Sequence, residues 1–91
     1  MDLPSDVQTV LTQLFEAGEQ AVQAGEYETA RKTVRTAATV SRNKLPNGTL
    51  RAQLLHGCDS VCTALDGNRE VHDDLASEYL RAMRRRLPEA G

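Results

Sequence analysis

Apolar residues recur at a helical period through nearly the whole chain, and only short turn-forming clusters interrupt them. A period of about 3.6 residues cannot lie on a strand without turning polar side chains inward, so the chain must fold as helices packed on one another. The first stretch places Val7, Val10, Leu11, Leu14, Phe15, Ala17, Gly18, Ala21 and Val22 toward one side, with Gln8, Thr12, Glu16, Glu19 and Gln23 opposite. Asp2 and Pro4 precede Ser5, and Ser5 followed by Gln8 is a capping-box pattern. The spacing predicts a first helix over about residues 6–24. Gly25 breaks it. The same period resumes at Tyr27, Ala30, Val34, Ala37, Ala38 and Val40 and predicts a second helix over about 27–43.

Lys44-Leu45-Pro46-Asn47-Gly48 is the strongest loop signal in the chain. A third helix follows over about 49–65, with Leu50, Leu54, Leu55, Cys58, Val61, Cys62 and Leu65 at its apolar positions. Asp66-Gly67-Asn68 stops it. A fourth helix is expected over about 69–87, with Val71, Leu75, Ala76, Tyr79, Leu80, Met83 and Leu87 in its stripe. Pro88 ends that helix, and Glu89 to Gly91 should fray. Connections this short make consecutive helices antiparallel neighbours. The expected fold is all-α, with four helices forming two packed antiparallel αα-hairpins in one domain, residues 1–91. A turn at Gly25 sets Ala21 opposite Ala30, Gly18 opposite Val34 and Leu14 opposite Ala37. Gly18 costs roughly 1 kcal/mol inside a helix relative to Ala, which a close backbone approach at this crossing would offset.

From Leu14 to Ala37 the residues Leu14, Ala17-Gly18, Ala21, Gly25-Glu26-Tyr27, Ala30, Val34 and Ala37 follow one another at fixed spacing. In this the segment resembles a tetratricopeptide repeat, whose small residues permit close helix contact and whose Gly-x-Tyr makes the turn. The resemblance implies a helical hairpin. It does not imply peptide binding, because about three stacked repeats are needed to form the groove that family uses. Leu14 and Ala21 stand where aromatic residues are usual, and Arg42 stands where a proline would end the second helix. The runs Gly25–Arg31 and Tyr79–Leu87 also resemble small uncharacterised helical proteins of halophilic archaea.

Charge is segregated along the chain. Residues 1–28 hold six acids and no base, residues 29–58 six bases and no acid, residues 59–78 six acids and one arginine, and residues 79–91 four arginines and one acid. Blocks of like charge on a helix repel locally and are tolerable where a neighbouring helix carries the opposite sign. The plain reading is mutual neutralisation, first helix against second and the acidic start of the fourth against a basic neighbour. Arg84, Arg85 and Arg86 would also complement the C-terminal dipole of the fourth helix. The alternative is a basic patch of Arg31, Arg35, Arg81, Arg84 and Arg85, made by the second helix and the end of the fourth. Such a patch would bind nucleic acid or an acidic partner. The net charge of −2 and the lack of aromatics beside the arginines weigh against nucleic acid.

His56, Cys58, Cys62 and His72 are the candidate metal ligands. Two thiolates on one helix face and an imidazole from a facing helix would suit zinc. The spacing matches no familiar zinc module, and free cysteines are commonly core residues, so no metal or other cofactor is expected. Asp74 and Glu78 share a face with Arg81 and read as a solvated ionic network. No nucleophile elbow, phosphate loop or Gly-rich fingerprint is present, so no catalytic residue is expected. Neither a membrane span nor a signal peptide is legible, which points to the cytoplasm. The resulting expectation is a non-catalytic helical module that works through protein contacts. Apolar residues on more than one face of the first and third helices make Leu11, Phe15 and Leu55 the expected self-association face, as in a homodimer. A polyanion-binding module and a zinc protein are the alternatives.

Overall fold

The computed structural model describes residues 5–66 and 70–87. Asp2 and Pro4, the Gly67-Asn68 turn with Arg69, and the expected frayed end from Pro88 lie outside the described residues. Four helices follow in order: α1 (Ser5–Gln23), α2 (Tyr27–Lys44), α3 (Thr49–Ala64) and α4 (Asp73–Arg86). Three of them agree with the sequence periodicity to within a residue at each end. Among the described residues there is no strand, and no helix is long and apolar enough to cross a membrane.

The turn between α1 and α2 is a Schellman motif. Gly25 adopts a left-handed φ of 76°. Its N–H donates to the Val22 carbonyl at 3.0 Å, and the Glu26 N–H donates to Ala21 at 2.8 Å. These bonds satisfy carbonyls that α1 would otherwise leave open, and only glycine enters this conformation without steric cost.

α4 departs from the sequence reading. Its expected start at Arg69 gives way to a non-helical run over Glu70–His72, and the helix begins at Asp73. The His72 N–H is bonded to the Ala64 carbonyl at 2.8 Å, which ties this run back to the end of α3. Asp73 and Asp74 then occupy the first turn, where carboxylates are favoured by the exposed N–H groups and the helix dipole. Val71 keeps an apolar contact with the core although it precedes the helix.

The helices form a closed antiparallel ring. α1 packs against α2 and α4, and α3 packs against the same two, while the diagonal pairs make no comparable contact. The core runs through the centre, with Leu11, Phe15, Val34, Leu54, Val61, Leu65 and Leu80 at 0–1% exposure. Ser41, also fully buried, donates its hydroxyl to the Ala37 carbonyl at 2.8 Å, so the polar atom is satisfied within its own helix.

This ring corrects the expected self-association face. Leu11 and Phe15 are at 0% exposure inside the single chain. α1 has two neighbours, so it needs two apolar faces, and the second face meets α4 rather than another molecule. Of the three expected residues only Leu55 reaches the surface, half-buried on α3.

Candidate interaction surface

The arginines expected to form one patch lie on two different sides of the ring. α2 and α4 are diagonal, and each turns its arginines toward a different neighbour. On α4, Arg81 donates from Nε to Glu19 Oε2 at 2.5 Å, and Arg84 donates from Nη1 to Glu19 Oε1 at 3.3 Å. The Glu19 side chain is only 11% exposed. Two charge-assisted bonds compensate its removal from water, and they also fasten α1 to α4. Opposite charges therefore meet between α1 and α4, instead of between α1 and α2 as the charge blocks suggested. Arg81 likewise leaves Asp74 and Glu78 for Glu19. Arg85 and Arg86 are exposed in the last turn of α4, where they complement its dipole. The remaining ion pair among the described residues is the exposed Glu28–Lys32 pair, one turn apart at 3.7 Å. Water screens a pair this exposed.

The α2 arginines face α3. Arg35, Ala38 and Arg42 on α2, with Leu55, Cys58, Asp59 and Cys62 on α3, line a groove of about 230 Å³. Positions 31, 35, 38 and 42 form one stripe of α2, and 51, 55, 58 and 62 form one stripe of α3. In the antiparallel register Ala38 lies beside Leu55. Arg31 reaches the Cys62 end, and Arg51 lies one turn before Leu55. The Nε atoms of Arg31 and Arg51 are buried with no hydrogen-bond partner among the described residues. Arg51 does donate from Nη1 to the Asn47 side-chain oxygen. Leu55 and Cys62 make a half-buried apolar floor together with Ala38, and Asp59 is the one acid on the rim. The charge blocks made α2 visibly basic, but nothing in them identified α3 as its neighbour or Arg42 as a member of the same groove as Arg35.

The two thiols divide between core and groove. Cys58 is at 2% exposure, with Sγ 3.9 Å from Met83 Sδ. Burial pushes its thiol up to about 12, and the neighbouring Cys62 pushes in the same direction. Cys62 is raised chiefly by burial and further by Asp59, against the lowering influence of Arg35 and Arg31. Both cysteines are free. His56 is exposed on α3, while His72 stands at the start of α4 beside a separate cavity of about 540 Å³. That cavity is lined by Asp59, Ser60, Thr63, Glu70, Leu75 and Tyr79 among others. Cys58 and Cys62 thus point to the core and to α2, and neither meets His56 or His72. Among the described residues no three His, Cys, Asp or Glu side chains converge as metal ligands.

At the same end of the bundle as His72, Tyr27 donates to Asp73 Oδ2 at 3.4 Å, which links the starts of α2 and α4. Partial desolvation raises the Tyr27 phenol, and the Asp73 carboxylate adds to the effect. Large exposed apolar side chains are few. Val10 is 41% exposed in a small hollow between α1 and the end of α2, and Leu75 is 44% exposed on α4. They sit at opposite ends of the bundle and do not make a common patch. The α2–α3 groove combines an apolar floor with Arg35 and Arg42 on its rim.

No curated protein and no solved structure matches this chain. A family model described as a domain of unknown function, DUF8101, matches residues 1–89, and the chain belongs to that family.

Proposed function

We propose that this protein is a non-catalytic helical module that works by binding another protein through the groove between α2 and α3. One observation carries the reading: a half-buried floor of Ala38, Leu55 and Cys62 lies between Arg35 and Arg42, which have no carboxylate partner in an ion pair among the described residues. Protein contacts suit such a site because burying the floor gains hydrophobic free energy while the rim supplies charge and register. The non-catalytic part is supported by Cys58, whose buried thiol stays protonated against Met83. A reducing compartment such as the cytoplasm suits the two free thiols. The homodimeric form of this reading retains only Leu55 of its three expected contacts.

A photo-crosslinking residue placed at Ala38 in the native cell tests the proposal. It should give a discrete protein adduct, and the same residue at exposed Glu16 on α1 should give none. No protein adduct at Ala38, or the same adducts at both positions, would overturn the assignment of this groove.

A further inference from the structure

We propose that the α2–α3 groove takes an acidic amphipathic helix of a partner protein, with the helix's apolar stripe on Leu55 and its carboxylates on the flanking arginines. The inference rests on the binding role proposed above and adds the chemistry of what is bound.

The basic face is built from two helices. Arg31, Arg35 and Arg42 recur along one stripe of α2, and Arg51 enters from α3 near the end where Arg42 lies. Like charges facing each other across a helix pair are unfavourable in the free protein. An incoming row of carboxylates removes that repulsion, so part of the binding free energy is already prepared in the fold. Arg35 and Arg42 line the groove and are exposed, and neither has an ion-pair partner among the described residues. A carboxylate accepts from such an exposed guanidinium in the strongest geometry available to it.

The shape favours a helix. Residues 31–42 rise roughly 16 Å along α2, about three turns. A third helix lying in the depression between two antiparallel helices presents residues at i, i+4 and i+7 to the floor. The arginines on the rim follow the same spacing, so acids one position away from the apolar stripe fall beside them. Nucleic acid fits less well: the groove has no aromatic side chain on which a base can stack, it contains Asp59, and its floor is apolar. A polyanion would leave Leu55 and Cys62 uncovered.

The test is fluorescence anisotropy with the full chain and three labelled probes at moderate salt. One is a designed peptide with leucine on one helical face and glutamate on both flanks. The second has lysine in place of every glutamate. The third is a single-stranded RNA of similar length. The glutamate peptide is expected to bind at least about tenfold more tightly than the lysine peptide, a difference set by the rim charges. Arg35→Glu with Arg42→Glu should abolish that preference, and Leu55→Asp should weaken binding. Arg85→Glu, at an exposed position on α4, should leave both unchanged. Arg35 and Arg42 are exposed, and Arg42→Gln gives a milder version that separates loss of charge from loss of fold, checked by far-UV circular dichroism. No binding of the glutamate peptide, equal binding of the lysine peptide, or binding of RNA alone would overturn the proposal. A protein adduct at Ala38 combined with such a result would leave the wider binding role standing and reject only the acidic-helix partner.

Discussion

Glu19 on α1 accepts a 2.5 Å hydrogen bond from Arg81 on α4, across 62 residues of sequence. The pair closes the ring between the first and last helices, and it removes Arg81, with Arg84, from any basic patch shared with α2. Glu19→Gln keeps the shape but leaves the two guanidinium groups without a carboxylate. Arg81 and Arg84 remain 47% and 36% exposed, so solvent screens part of the loss. The expected cost is about 1–2 kcal/mol in urea unfolding. A double-mutant cycle with Arg81→Gln should show coupling, whereas Lys32→Gln, in the exposed pair with Glu28, should change stability by less than about 0.5 kcal/mol.

Two glycines in helix interiors should respond in opposite directions. A methyl group at Gly18 would meet Val34 and Leu80 at 3.5 Å, which is ordinary contact. The Gly18–Val34 pairing expected from the turn at Gly25 is present, but the crossing does not require glycine. Gly18→Ala should therefore stabilise by up to about 1 kcal/mol. A methyl group at Gly57 would lie 2.5 Å from Met83 Sδ and 2.8 Å from its Cγ. Met83 is 2% exposed and has little room to move. Gly57→Ala should cost about 1–3 kcal/mol through overpacking, despite the gain in helix propensity. Thermal melts of the two variants check the pair.

The raised Cys58 thiol makes stability depend on alkaline pH. Below the ordinary value of 9.0 the thiol is neutral in both folded and unfolded chains, and its contribution is fully present. Above 9.0 the unfolded chain ionises first, so stability falls until about pH 12, where the folded thiol also ionises. The full loss from this group is at most about 4 kcal/mol. Cys58→Ala should flatten that slope in denaturant titrations. Near neutral pH a thiol reagent should modify half-buried Cys62 well before Cys58, whose labelling should require unfolding.

Phe15 supplies the check on the corrected apolar face. At 0% exposure it belongs to the single-chain core. Phe15→Ala should cost about 3–5 kcal/mol in unfolding experiments. Sedimentation at fixed low concentration should show destabilised protein rather than a folded monomer released from a dimer.

The helix boundaries were legible because Gly25 and Pro46-Asn47-Gly48 are local signals, and local signals survive folding. The start of α4 was not, since Val71 continues the apolar period while the His72–Ala64 hydrogen bond that halts the helix is a tertiary contact. Leu11 and Phe15 look like surplus surface in the sequence for a similar reason. A second apolar face states that α1 has a second neighbour, and only the closed ring identifies that neighbour as α4. The arginines show the same limit. Their number and blocks are plain in the sequence, but whether Arg81 serves Glu19 or a ligand depends on which helix lies beside it.

Amide chemical-shift mapping with the glutamate-flanked peptide tests the functional account most directly. Shifts concentrated at Arg31, Arg35, Ala38 and Arg42 of α2 and at Leu55 and Cys62 of α3 are the expected result. Shifts confined to α1 and α4, or no saturable shifts while the Arg35 and Arg42 amides keep their folded positions, would contradict it.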